Sequence, residues 1–241
     1  MDFEIEWHER LGSTNVALRA RFYSEYSTPS GLILAAREQS GGRGRQDRRW
    51  LSSPNTNLSF SLFIETTAPL IQVPSLTMSA ALAVSELLNT TGIRAAPKWP
   101  NDVLVGEKKI CGILSERVER GSRCGIIVGI GLNVNMSADE AAGIDRPATS
   151  MLIESGRAYD PAQVLSDLQP QLTFWLDRWE AGGFGAIREI WTEKAGPIGK
   201  PLSVHDGDIR KSGRLAGFGD HGELLLETDH GLETIWTGDV H

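Results

Sequence analysis

The sequence predicts an α+β fold: a mixed β-sheet flanked by helices over residues 1–195, then a small β-barrel over residues 196–241. Three observations carry this. Short apolar or alternating runs, "GLILAARE" and "TNLSFSLFIE" among them, have strand length and period. They are interleaved with stretches of helical periodicity. After Gly196 the texture changes to brief runs separated by "DG", "SG", "GDHG" and "DHG" turns, the spacing of four or five short strands.

Taken in order, "DFEIEWHERLG" reads as a first strand, and "GSTNVALRARFYSEY" as a helix capped by Ser13 or Thr14 with Val16, Leu18, Phe22 and Tyr23 roughly on one face. Residues 31–38 form a buried strand after a Pro-Ser-Gly turn, and residues 56–65 a half-buried one. Pro74 and Ser75 open an amphipathic helix closed by Gly92. β-Branched runs then predict a set of strands with a hairpin turn near Gly106. Residues 161–195 are helical. Pro170 is expected to kink or divide the first of these helices, and Leu172, Trp175, Leu176 and Trp179 to pack in the core.

With 241 residues, 40% hydrophobic and 23% charged, the chain has the composition of a soluble globular protein able to bury a full core. No apolar run reaches the roughly 18 residues that span a bilayer, and the start is acidic and polar rather than a signal peptide. A cytoplasmic location is the expectation. Cys111 and Cys124 lie in apolar, strand-like stretches and are expected to be buried free thiols. The five histidines have no zinc-ligand spacing. A net charge of −7 argues against binding DNA or RNA, whose affinity rests on neutralising many phosphates.

Against that acidic background, "SGGRGRQDRRW" (40–50) places four arginines in seven positions among glycines. Arg43, Arg45, Arg48 and Arg49 cannot deprotonate, and their planar forks suit phosphate or carboxylate oxygens. Gly41, Gly42 and Gly44 let backbone N–H groups approach an anion closely. The bland alternative is a solvated charge run. There is no P-loop, and "GIGLNVN" lacks the third glycine and following helix of a dinucleotide fingerprint. Gly129 and Gly131 instead thin a strand so that a flat ligand can lie on its backbone. In "KWPNDV", Lys98 and Asp102 could serve a phosphate and its magnesium ion. In "KKICGILSE", one of Lys108 and Lys109 points to the pocket side, where it would offset a reacting carboxylate. Together these residues make a site for a carboxylate plus ATP, the chemistry of acid activation by adenylation.

At this point the chain resembles the bacterial biotin protein ligases, the biotin–[acetyl-CoA-carboxylase] ligases. The matching segments are "STN" (13–15), "EQSGGRGRQDRRW" (38–50), "KWPNDV" (98–103), "KKICGILSE" (108–116) and "GIGLNVN" (129–135), in the family's order. The resemblance implies the mixed-sheet catalytic domain of that family, akin to class II synthetases, and an SH3-like C-terminal barrel. It implies biotin and ATP as substrates, Mg²⁺ carried on the ATP phosphates with Asp102 in place to touch it, and biotinyl-5′-AMP as intermediate. The acceptor is a lysine of a biotin carboxyl carrier protein.

By the same resemblance, biotin is held by Ser13, Thr14, Asn15, Gln39, Gly42, Arg43, Gly44, Lys109, Gly112, Leu114, Gly129 and Gly131. ATP and the adenylate are held by Arg45, Arg48, Trp50, Lys98, Asn101 and Asn133. Lys109, Arg45, Lys98 and Asp102 are the catalytic set.

Asp47 stands where the family's GRGRxGRxW loop has glycine, and is expected to pair with Arg45 or Arg48 and pre-order the empty loop. The motif "STN" begins at residue 13, leaving no room for the winged helix by which some relatives bind an operator, so no DNA binding is expected. Relatives form homodimers by joining their central sheets, and no residue marks which strand would be that edge. The rival readings are a lipoate or octanoate ligase, disfavoured by "GRGR…RRW" and "KWPND", and a non-catalytic pocket kept for sensing, disfavoured by Arg45 together with Lys109.

Overall fold

The structure is a computed structural model and describes residues 1–24, 28–45, 48–50 and 53–241. Strands β1 (Glu4–His8) and β2 (Leu32–Ala36) flank α1 (Thr14–Ser24) in the chain. The arginine-rich segment is a short ribbon of β3 (Gly42–Arg43) and β4 (Arg49–Trp50). β5 (Leu58–Glu65) leads to α2 (Val73–Thr90), followed by β6 (Ala95–Lys98), β7 (Asp102–Val105), β8 (Lys108–Arg120) and β9 (Arg123–Leu132). Helices α3 (Ala138–Ala142), α4 (Met151–Ser155), α5 (Pro161–Gly182) and α6 (Arg188–Ala195) come next. The last part of the chain is β10 (Pro201–Asp206), β11 (Ile209–Phe218), β12 (Leu224–Thr228), β13 (Gly231–Ile235) and β14 (Asp239–Val240).

Seven strands form the mixed sheet in the order β1-β2-β5-β9-β8-β7-β6, with β1 and β2 parallel and the other neighbours antiparallel. Because successive side chains alternate between faces, the register sorts the helices. Leu34, Phe63 and Ile127 point to the face where Leu18 and Phe22 of α1 bury themselves. Phe60, Leu62, Val128, Ile130 and Ile113 point to the opposite face and join α2 and α5 in the main core. α1 covers only part of its face; the rest, over Gly129, Gly131 and Gly112, is covered by the side chains of Asn15, Trp50 and Lys109 rather than by a helix.

β10–β14 form a five-stranded antiparallel sheet in the order β13-β12-β11-β10-β14, the small barrel-like unit expected of the C-terminal part. It shares the main core through Leu202, Val204, Leu215, Phe218, Leu224, Leu226 and Ile235. Trp99, buried within "KWPND", donates its indole N–H to Gly222 O at 2.9 Å and so ties the two units beside the site.

Several expectations are corrected. Pro170 does not divide its helix: α5 runs from Pro161 to Gly182 with Pro170 on its exposed side. Of the four apolar residues placed roughly on one face of α1, Leu18 and Phe22 are buried and Val16 and Tyr23 are exposed. Cys111 is buried but Cys124 is half-buried near the β8–β9 turn. The segment Leu70–Thr90 is long and apolar enough by composition to cross a bilayer, yet 72% of it is buried inside the protein. The expectation for Asp47 lies outside the described residues.

Candidate active site

The open part of the sheet forms the floor of a cavity of about 1290 Å³, lined by the arginine ribbon, the "KWPND" turn, β8, β9 and the end of the barrel. Two cross-strand rows make the floor. One joins Ser61, Gly129 and Leu114; the next joins Ser59, Gly131, Gly112 and Asp102, with Lys98 opposite Asp102. The glycines matter for the room they leave. A Cβ on Gly131 would stand 2.3 Å from the Trp50 indole, and one on Gly129 would stand 2.1 Å from Asn15 Oδ1. A flat group does lie on the bare backbone, and in this structure it is the side chain of Trp50. Its indole nitrogen is buried without a hydrogen-bond partner.

At one end of the floor is a polar cluster. Ser13, Thr14 and Asn15 are buried at the start of α1, whose first turn is set by the bond from Ala17 N–H to Ser13 O. Gln39 is brought there by a parallel bridge to Leu11. Its Oε1 accepts from Thr14 N at 2.7 Å and lies 3.2 Å from Thr14 Oγ1, so its amide nitrogen remains a donor. Ser61, fully buried, lies 2.7 Å from Thr14 Oγ1 and donates to Asn15 Oδ1 at 2.5 Å. Asn15 in turn donates to Glu116 Oε2 at 2.8 Å. Ser61 and Glu116 were absent from the sequence-derived site. Their place depends on the pairing of Ser61 with Gly129, which the sequence does not display.

At the other end stand the charges. Lys109 Nζ lies 2.6 Å from Asp102 Oδ1, an ion pair whose geometry is off the hydrogen-bond line, since that oxygen is otherwise unpartnered. The backbone fixes it. Lys109 N–H donates to Pro147 O and its carbonyl accepts from Thr149 N–H, both at 2.9 Å. Of the two neighbouring lysines, Lys108 is exposed and Lys109 is the one on the pocket side. Asn101 closes the turn by donating to Ile113 O at 2.7 Å and accepting from Arg45 at 3.1 Å. Burial lowers the Lys98 pKa from the usual lysine value; Lys109 and Arg146 add to this, while Asp102 and Asp239 oppose it. Asn133, buried at the strand end, donates to Thr149 O at 3.0 Å.

The arginine ribbon folds over the floor by pairing Gly42 with Trp50 and Arg43 with Arg49. Arg45 reaches Thr237 Oγ1 at 2.6 Å and Gly238 O at 3.4 Å. Arg48 Nη2 and Arg146 Nη1 meet on Asp239 Oδ2, at 2.5 and 3.1 Å. Burial raises the Asp239 pKa, but hydrogen bonds and charge from the two arginines outweigh it and bring it down to about 2. Arg146 and Asp239 carry no motif, and sequence reasoning missed both.

Every residue named for biotin, for ATP or for catalysis lines this one cavity except Gly42, which sits behind Trp50 with its Cα hydrogen toward Trp50 O; Gly41, also singled out in the arginine loop, does not line it either. Among the described residues there is no group of three or more His, Cys, Asp or Glu able to hold a metal ion. Asp102 is the carboxylate at the floor, and Lys109 already faces it. The donor set fits an ion that arrives on a nucleotide better than one held by the protein.

Residues 7–133 match the biotin/lipoate A/B protein ligase family. The chain is 32% identical, over all of its length and 74% of the relative's, to the bifunctional ligase/repressor BirA of Bacillus subtilis. It is 33% identical to the biotin–[acetyl-CoA-carboxylase] ligase of Paracoccus denitrificans, over 86% of this chain and 88% of that protein. Among solved structures it is similar to the biotin protein ligase of Aquifex aeolicus in complex with biotin and ATP. There the TM-score is 0.80 at 29% identity, covering 99% of this chain and 97% of that one.

Proposed function

The chain belongs to the biotin/lipoate A/B protein ligase family, and we propose that within it this protein joins biotin to a lysine of a biotin carboxyl carrier protein through biotinyl-5′-AMP. The carrying observation is one cavity in which a glycine floor runs from a buried polar cluster to the Lys109–Asp102 pair, beneath an arginine ribbon.

In this reading the ureido head of biotin takes its hydrogen bonds from Ser13, Thr14, Asn15 and Gln39. The ring system lies along Gly129, Gly131, Gly112 and Leu114, with the backbone at Gly42, Arg43 and Gly44 over it. Trp50 leaves the floor to the ligand and covers it. A site built to satisfy the ureido group rejects acids that lack it, because its own buried groups would go unpaired. Lipoate and octanoate lack it.

The biotin carboxylate meets Lys109, whose ammonium neutralises the encounter of two anions. Arg45, Arg48, Lys98 and Asn101 hold the phosphates, and Asn133 stands by the adenine. Mg²⁺ comes with ATP and supplies charge neutralisation on its phosphates. A carboxylate oxygen bonds to the α-phosphorus and pyrophosphate leaves. The acceptor amine then attacks the acyl carbon and AMP leaves; Asp102 orients that amine. We read residues 1–195 as the catalytic unit and 196–241 as the SH3-like module that closes its mouth. The reaction is placed in the cytoplasm, in keeping with two unpaired cysteines.

The test is ATP–pyrophosphate exchange with Mg²⁺ and biotin, lipoate, octanoate or no acid. Exchange with biotin alone is expected. Exchange driven by lipoate or octanoate would assign the chain to the other branch of the family, and biotin binding without exchange would make it a sensor.

A further inference from the structure

We propose that Asp239 is a built-in anion that competes with nucleotide phosphate for Arg48 and Arg146, which makes Arg146 a phosphate-binding residue of this site. The proposal rests on the reading of the cavity as an ATP site.

Three segments distant in sequence meet at one oxygen. Arg48 comes from the ribbon, Arg146 from the segment that backbone bonds pin beside Lys109, and Asp239 from the final strand. Both guanidinium groups converge on Asp239 Oδ2, the arrangement they would make around a phosphate oxygen. All three residues line the cavity that holds the glycine floor.

Exposure decides which partner moves. The Arg48 and Arg146 side chains are 40% and 55% exposed, whereas Asp239 is 19% exposed. Asp239 is also held in the sheet opposite His205, with His241 paired across to Ser203. The arginines can swing toward the floor; the carboxylate cannot follow. Both arginine side chains are more exposed than the carboxylate that they meet. Their donor ends are being consumed by it.

Other charges face the carboxylate: Lys98 and His241 lie close enough for their titration to feel it. Arg45 is held by its neighbours Thr237 and Gly238. A single carboxylate in that field is outcompeted by a triphosphate carrying several charges, so ligand entry exchanges one anion for another. Between turnovers Asp239 offsets the charge of the two arginines, at the expense of nucleotide affinity. Loss of the carboxylate should therefore tighten phosphate binding. If Asp239 merely positioned the arginines, its loss would weaken it.

The experiment is calorimetric titration of the whole protein with inorganic triphosphate, without metal, for the unaltered chain, Asp239→Asn, Arg146→Ala and the double variant. Asp239→Asn is expected to bind about tenfold tighter, the loss of one competing ion pair. Arg146→Ala should bind at least about fivefold weaker, and the double variant should lose the gain. Equal or weaker binding by Asp239→Asn overturns the proposal, as does no binding by either chain. If circular dichroism shows that Asp239→Asn is unfolded, Arg146→Ala decides alone: unchanged binding overturns it. ATP–pyrophosphate exchange with biotin on the unaltered chain is run alongside. Its failure with the triphosphate shift intact removes the ligase reading and leaves the competing carboxylate in place.

Discussion

Lys109 Nζ stands 2.6 Å from Asp102 Oδ1, at the end of the row that runs through Gly131 and Gly112. One ammonium thus faces a protein carboxylate on one side and the open floor on the other. A substrate carboxylate arriving along the floor would meet a cation whose backbone is pinned by bonds to Pro147 and Thr149 and whose ammonium is held by Asp102. Preorganised charge of this kind is worth roughly 10²–10³ in rate. Lys109→Gln is expected to lower ATP–pyrophosphate exchange by that factor while leaving the melting temperature nearly unchanged. Activity within tenfold of the unaltered chain would remove Lys109 from the chemistry.

Gly131→Ala and Gly129→Ala should behave differently. At Gly131 the added methyl meets a side chain, Trp50, that can move, so the fold survives and the methyl occupies the ring site. Biotin affinity should fall by about tenfold or more, the effect of roughly 1.4 kcal/mol. At Gly129 the methyl meets Asn15 Oδ1, which Ser61 and Glu116 hold in place, so stability falls as well. Calorimetric titration with biotin and thermal melts read both; equal melts for the two variants would contradict the rigidity assigned to Asn15.

Ser61→Ala removes a buried hydroxyl that touches no ligand in this account. Asn15 Oδ1 loses its donor and Thr14 its neighbour, a loss of about 1–3 kcal/mol for an unsatisfied buried group. The KM for biotin should rise about tenfold with kcat little changed. Steady-state kinetics that showed a fall in kcat alone would argue for a different role.

Asp239 also makes stability depend on pH. In the folded protein its carboxyl stays ionised down to about pH 2, whereas in an unfolded chain an aspartate protonates near 3.9. Folding therefore favours the charged form. That contribution, on the order of 2 kcal/mol, is complete above about pH 5 and is lost as the pH falls toward 2. In urea unfolding, Asp239→Asn should be less stable than the unaltered chain at pH 7, and the gap should narrow at pH 3.5. A gap that does not change with pH would show that the ion pairs contribute nothing.

The features legible in the sequence were those whose information is local. Alternation located β5, a proline and a glycine bounded α2, and turn dipeptides marked the barrel. The motif residues Gln39, Lys98, Asp102, Lys109 and Asn133 converge on one cavity because each motif sits at a strand end on the same side of the sheet. What escaped depended on distant pairing. Ser61 looks like any polar position of an alternating strand until its register opposite Gly129 is known. Asp239 and Arg48 are separated by 191 residues and meet only because the barrel docks over the ribbon. Trp50 was assigned to the nucleotide side, and nothing in its neighbours announced that its indole would rest on Gly131. Pro170 does not mark a helix boundary, because it sits on the solvent-exposed side of α5.

The central claim is that a carboxylate is activated on the α-phosphorus of ATP above this glycine floor. The most direct measurement follows an oxygen atom. Biotin labelled with oxygen-18 in both carboxylate positions is incubated with the protein, ATP, Mg²⁺ and a lysine-bearing acceptor, and the released AMP is weighed by mass spectrometry. Attack at the α-phosphorus followed by transfer to the amine leaves one heavy oxygen on AMP and one in the new amide. ADP in place of AMP, with the heavy oxygen in inorganic phosphate, would mean that the carboxylate attacks the terminal phosphorus, and would contradict the assignment of Lys109 and the arginine ribbon to an acyl-adenylate.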